Sequence, residues 1–257
     1  MLLTIDIGNT NITIGCYQAE TLGKRWRLAT DHERMADEYG IQLASLLGHG
    51  KIDIRDIQAV CLASVVPPLT GRLVQACKQY LNQSPFIVDS SVKTGINITL
   101  DDPSAIGADR LVDAAAVQVI YGGPACIVDF GTATTFDVLD NKGNYLGGAI
   151  APGIGISADA LFQRTSKLPR VDLVRPPSVI GKNTVHAMQS GLLFGYVSMV
   201  EGMVARIQKT TGDDLKVIGT GGLAEIVANE TDVIQIVAPW LTLDGLRIIW
   251  EMNHKHD

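Results

Sequence analysis

The stretch Cys126-Ile127-Val128-Asp129-Phe130-Gly131-Thr132-Ala133-Thr134-Thr135-Phe136-Asp137 decides how this chain is read. An apolar run ends in an acid, a glycine follows two residues later, and small hydroxyl residues come next. The pattern predicts a buried strand that delivers Asp129 into a tight turn, from which a second strand (Thr134 to Leu139) departs. Gly131 lets the backbone approach a ligand closely, and Thr132, Thr134 and Thr135 offer hydroxyls suited to phosphate oxygens. The opening residues Leu2-Leu3-Thr4-Ile5-Asp6-Ile7-Gly8-Asn9-Thr10-Asn11 repeat the order of strand, acid, glycine and small polar donors. One such unit could be a hairpin whose Asp and Asn satisfy turn geometry. Two of them, half a chain length apart, imply two related lobes that each offer a loop to a polyphosphate.

The flanking sequence supports an α/β chain. Strands Thr13 to Tyr17 and Lys24 to Leu28 continue a meander, and Asp37 to Leu47 reads as an amphipathic helix with Tyr39, Leu43, Leu46 and Leu47 on one face. Ile57 to Ser64 is a short strand stopped by Val65-Val66-Pro67-Pro68, followed by a helix from Leu69 to Leu81 and a strand from Pro85 to Val88. Such alternation points to at least partly parallel pairing. The turn signal Tyr121-Gly122-Gly123-Pro124 sets the boundary, giving lobes over residues 1–120 and 121–257. In the second lobe Tyr145 to Ala151 is a strand, and Pro152-Gly153-Ile154-Gly155-Ile156 a flexible link into a helix from Ser157 to Phe162. Asn183 to Lys209 makes one long helix or two. Leu215 to Ile218 then runs into the glycine turn Gly219-Thr220-Gly221-Gly222 ahead of a further helix. That turn suits an adenosine or its phosphates, or is simply a close strand–helix connection.

A second constellation is Gly107-Ala108-Asp109-Arg110, at the start of a helix striped by Leu111, Ala115 and Val119. Asp109 could take a proton from a hydroxyl that attacks a γ-phosphate, while Arg110 binds an anionic group. Equally, Asp109 could only complement the helix dipole, with Arg110 in solvent. Gly191, Gly195 and Gly202, with Met199 and Met203, allow close packing of the long helix inside the subunit or against a second copy.

Composition narrows the classes. A formal net charge of −6 without a Lys/Arg run argues against nucleic-acid binding. Cys16, Cys61, Cys77 and Cys126 lie far apart among apolar residues, as reduced core thiols do. Asp6 breaks the one N-terminal apolar run, and Gly191 to Ile207 carries Glu201 and Arg206, so a soluble cytoplasmic protein without membrane contact is expected. Gly181-Lys182-Asn183 lacks the spacing of a Walker A loop, and Gly8 with Gly15 makes no dinucleotide fingerprint.

Asp6-Ile7-Gly8-Asn9-Thr10-Asn11, Gly107-Ala108-Asp109-Arg110, Asp129-Phe130-Gly131-Thr132-Ala133-Thr134 and Gly147-Gly148-Ala149-Ile150-Ala151-Pro152-Gly153 resemble, in order, the motifs of type III pantothenate kinases. The resemblance implies two ribonuclease-H-like lobes of the actin/hexokinase/Hsp70-type ATPase fold. It also implies a homodimer that phosphorylates pantothenate from ATP in the first step towards coenzyme A, with Mg²⁺ and a K⁺ or NH₄⁺ ion. By the same resemblance, Asp6, Ile7, Gly8, Asn9, Thr10, Asn11, Ile12 and Thr13 form the first ATP-phosphate loop, and Thr132 binds ATP from the second. Asp129 is implied as the monovalent-cation ligand, Asp109 as the general base, and Gly107, Ala108, Asp109, Arg110 and Thr184 as pantothenate contacts. The family commonly places a tyrosine seven residues before the Gly of Gly-Ala-Asp-Arg; Leu100 stands there in this chain. The rival expectations are a kinase for another small hydroxy acid, and a catalytically idle accessory protein on the same fold.

Overall fold

The computed structural model describes residues 1–212 and 214–254, so the end of the expected second lobe, 255–257, lies outside the described residues. The chain forms two compact units, Gly122–Trp240 and the remainder.

The first unit opens with β1 (Leu2–Ile7), β2 (Asn11–Gln18) and β3 (Thr21–Ala29), then α1 (Ala36–His49), β4 (Ala59–Ser64), α2 (Pro67–Leu81), β5 (Phe86–Ile87), the two-residue β6 (Asn97–Ile98) and α3 (Ala108–Ile120). The sheet order is β3-β2-β1-β4-β5, antiparallel from β1 to β3 and parallel from β1 through β4 to β5. β1 is central and buried on both faces, with only Asp6 half-buried, as a strand covered on each side is. Leu3, Ile5 and Ile7 join Leu43, Leu62, Leu69 and Leu73 in one core, which leaves Leu2, Thr4 and Asp6 on the opposite face. Pro67 and Pro68 stand in the first turn of α2, so they begin the helix two residues earlier than the expected Leu69. Proline fits there because its missing N–H would have had no intrahelical partner.

The second unit repeats the plan. β7 (Ala125–Phe130), β8 (Ala133–Leu139) and β9 (Asn144–Pro152) form the meander, followed by α4 (Ile154–Arg164), α5 (Thr184–Thr211), β10 (Lys216–Thr220), α6 (Ala224–Ala228) and β11 (Ile236–Val237). These strands run β9-β8-β7-β10-β11 with the same directions, so β7 occupies the place of β1. Residues 154–156 are helical, where the sequence suggested a flexible link. Gly153 caps α4 and receives the Ser157 N–H on its carbonyl at 3.0 Å. The long helix is one uninterrupted element of 28 residues.

Helix α7 (Leu241–His254) follows the second unit in sequence but packs in the first, against α3, β1, β2 and β4. The sequence-based boundary had placed these residues in the second lobe. Two glycines explain the fit: a Cβ on Gly15 would meet Leu243 Cδ1 at 2.8 Å, and one on Gly245 would meet the Val112 carbonyl oxygen at 2.2 Å. The Tyr17 hydroxyl donates to Asp244 Oδ1 at 2.6 Å, and Arg247 lies over the Tyr17 ring and pairs with Glu251 at 3.0 Å. Burial and the Asp244 carboxylate both push the Tyr17 phenol well above its ordinary range, so it stays a donor. Among the described residues no helix is long and apolar enough to cross a membrane.

Candidate active site

The first loop is the connection Gly8–Thr10 between β1 and β2. Ile7 and Ile12 pair across the hairpin and are both fully buried, so only their backbone is available to a ligand. Asn9, Thr10 and Asn11 are exposed, and Asp6 sits half-buried just below them on the face opposite the main core. The Gly8 N–H bonds the Asn11 carbonyl at 3.0 Å, which closes the base of the loop. Thr13 lies across from Asp6 on β2.

Asp109 occupies the first turn of α3, whose N-cap is Gly107. The Arg110 N–H donates to Asp109 Oδ1 at 2.8 Å, which fixes the carboxylate at the helix start. A Cβ on Gly107 would come within 2.6 Å of the same oxygen, so the glycine makes room for this carboxylate orientation. Val65 joins the two segments: its N–H bonds the Ile7 carbonyl at 3.1 Å, and its Cγ1 lies 3.7 Å from where a Gly107 Cβ would stand. Gly107, Ala108, Asp109 and Arg110 are all half-exposed, as a ligand-contacting segment requires. Val119, expected in the apolar stripe of α3, is 54% exposed; the buried face runs from Leu111 to Val117.

In the second unit the loop glycines converge on Asp129. The Gly131 N–H bonds the Ala133 carbonyl at 3.1 Å, and a Cβ on Gly131 would stand 3.2 Å from Asp129 Oδ2. Gly221, with φ +88°, comes closer still: a Cβ there would meet Asp129 Oδ1 at 2.3 Å and the Phe130 backbone at 2.8 Å. The glycine turn after β10 therefore does more than connect strand and helix, because it brackets the carboxylate. Thr132 is exposed at the loop tip, and its carbonyl accepts the Gly153 N–H at 3.2 Å. Thr184 is the exposed first residue of α5, next to the cap Asn183 whose side chain accepts the His186 N–H at 2.8 Å.

Three features escaped the sequence reading. Thr30 binds the first loop through two hydrogen bonds, to Gly8 and to Thr10. Gly153 presses against the carbonyls of Gly131 and Thr132, with room for no Cβ. Asp137, 1% exposed, accepts the Thr135 hydroxyl at 3.0 Å and the Tyr145 hydroxyl. Thr135 is the cross-strand partner of Asp129, so acid, hydroxyl and acid share one face of the sheet. Among the described residues no three His, Cys, Asp or Glu side chains gather as a metal cluster. A carboxylate among hydroxyl and backbone oxygens is a hard donor set, which fits K⁺ or Mg²⁺ better than a thiophilic metal. The four thiols are buried and free, and burial pushes those of Cys16, Cys77 and Cys126 up to about 12, which leaves them inert.

A model of the type III pantothenate kinase family matches residues 2–206. The type III pantothenate kinase of Roseiflexus sp. is 54% identical over 255 residues, 99% of this chain and 100% of that protein. The type III pantothenate kinase of Moorella thermoacetica is 51% identical over 253 residues, 98% of this chain and 100% of that one. Among solved structures, a conserved putative Baf family transcriptional activator from Campylobacter jejuni superposes with TM-score 0.64 at 21% identity, over 98% of both chains. A putative 2-dehydro-3-deoxygalactonokinase from Sinorhizobium meliloti reaches TM-score 0.59 at 13% identity, over 100% of this chain and 98% of that one. At such identities these structures speak for the fold alone, which is the actin/hexokinase-type ATPase fold that the repeated strand order describes. On family profile and full-length identity, the chain belongs to the type III pantothenate kinases.

Proposed function

We propose that this chain transfers the γ-phosphate of ATP to the primary hydroxyl of pantothenate, giving 4′-phosphopantothenate for coenzyme A synthesis, with Asp109 as general base. The observation that carries the reading is the carboxylate at the start of α3, oriented by the Arg110 N–H and given room by Gly107. Phosphoryl transfer to an alcohol depends on positioning and on neutralising charge, and a carboxylate beside the attacking oxygen accepts its proton. Arg110 would bind the pantothenate carboxylate, with Thr184 as a further contact. The backbone of Gly8–Thr10, with Asp6 below it, would hold one set of phosphate oxygens and Thr132 another. A Mg²⁺ held through water by Asp6 and a K⁺ or NH₄⁺ at Asp129 would offset phosphate charge when bound. The open faces of Gly191 and Gly195 on α5, with nothing within 4 Å of an added Cβ, support pairing of two copies through this helix.

The test is ATP-to-ADP turnover with and without pantothenate, and product mass. Asp109→Asn is expected to keep ATP binding and lose about 10²–10⁴-fold in kcat; near-normal kcat would remove Asp109 from the role. Turnover that falls when potassium is replaced by sodium would support the cation at Asp129. No pantothenate-dependent turnover from folded protein would turn the reading to another hydroxy acid.

A further inference from the structure

Thr30 lies just beyond β3, with nothing in its sequence context to attach it to the loop after β1. Its hydroxyl donates to the Gly8 carbonyl at 2.6 Å, and its N–H donates to the Thr10 carbonyl at 2.9 Å. In a two-residue hairpin such as Gly8–Asn11, the first carbonyl usually closes onto the N–H of the fourth residue. Here that carbonyl is drawn to Thr30 instead. A trans peptide points its C=O and its N–H in opposite directions. The bond to Gly8 therefore turns the Asn9 N–H away from Thr30, and the bond to Thr10 does the same for the Asn11 N–H. Backbone N–H groups gathered in a tight loop, here those of the alternate residues Asn9 and Asn11, make an anion-binding concavity.

The segment that carries Thr30 is itself tied down. The buried Tyr39 hydroxyl donates to the Asp31 carbonyl at 2.8 Å and accepts the Asp31 N–H at 3.2 Å. Arg72 on α2 donates to the carbonyls of His32 and Arg34 at 2.7 and 2.8 Å. Residues 30–34 thus form a strap held by two helices, with Thr30 at its loop end.

We infer that Thr30 is a positioning residue for ATP: it holds the first loop with the Asn9 and Asn11 N–H groups directed at phosphate oxygens. The inference rests on the reading of Gly8–Asn11 as an ATP-phosphate loop. Thr30 touches no reacting atom, so its removal weakens nucleotide binding and leaves the proton transfer at Asp109 in place.

The experiment compares Thr30→Val, Thr30→Ala and Thr30→Ser for ATP affinity by calorimetry and for steady-state constants, with thermal melts as a check on folding. The valine and alanine variants are expected to raise KM and Kd for ATP about 3–10-fold, from loss of one hydrogen bond at the loop. They should lower kcat at saturating ATP far less and leave KM for pantothenate unchanged. The serine variant, which keeps the donor, should restore ATP affinity. Equal loss in all three variants, or a fall confined to kcat, overturns the inference. Gly8→Val separates the two layers, since a Cβ there would lie 3.1 Å from the Asn11 carbonyl oxygen. If Gly8→Val abolishes ATP binding while the Thr30 variants bind normally, Thr30 alone loses its role; if Gly8→Val binds ATP normally, the loop reading itself falls.

Discussion

The two units share a strand order and a strand–acid–turn hairpin, yet their loops are fixed by different means. The loop after β1 is tied to the strap by two directional bonds, both from Thr30. The loop after β7 receives one such bond, from the Gly153 N–H to the Thr132 carbonyl, and is otherwise held by contact: Gly153 lies against its carbonyls, and Gly221 against Asp129 and Phe130. A duplicated sheet therefore does not bring a duplicated buttress. A hydrogen-bonded loop can lose one partner and relax, whereas a loop wedged between backbone atoms has no slack, because interiors are packed to crystal density.

Substitutions can break that contrast. The largest effect is expected for Gly221→Ala, which combines a positive φ with a 2.3 Å clash onto Asp129. Strain and overpacking together should cost about 2–5 kcal/mol in urea unfolding, and a cost below ~1 kcal/mol would mean that the second loop is as adaptable as the first. Tyr145→Phe comes next. It removes a hydroxyl from the buried Asp137 and should cost about 1–3 kcal/mol; unchanged stability would show the Thr135 bond to be sufficient. The smallest effect sharpens the comparison from outside the loops. Gly191→Ala on α5 meets nothing within 4 Å and should stabilise the isolated chain by about 0.5–1 kcal/mol. In the paired protein, a loss of stability that varies with protein concentration would support Gly191 in the contact between copies, and a gain at every concentration would argue against it.

Much of this was legible in the sequence because it is written in local periodicity. The apolar run before Asp129, the repeat before Asp6 and the helix after Gly107 all stand where the patterns place them. Local punctuation misled at two points, where Pro67 and Gly153 resembled breakers and are helix starts. What remained hidden depends on contacts between residues far apart in sequence. The Thr30–Gly8 bond spans 22 residues and the Tyr17–Asp244 bond 227. No window of a dozen residues contains either. A buried Asp137 on β8 could have been suspected, since an acid inside an apolar strand requires nearby donors. Thr135 and Tyr145 supply them.

The placement of α7 has a consequence for how the protein is made. The first unit is synthesised early, but its last helix is translated only after all of Gly122–Trp240. At ~5–20 residues per second that delay is roughly 6–24 s. Through that interval the face of β1 bearing Leu2 and Thr4, and the side of α3 against which Gly245 will seat, stand without their cover. The unit that begins first finishes last. Completion of the amino-terminal core therefore waits for the last helix of the chain.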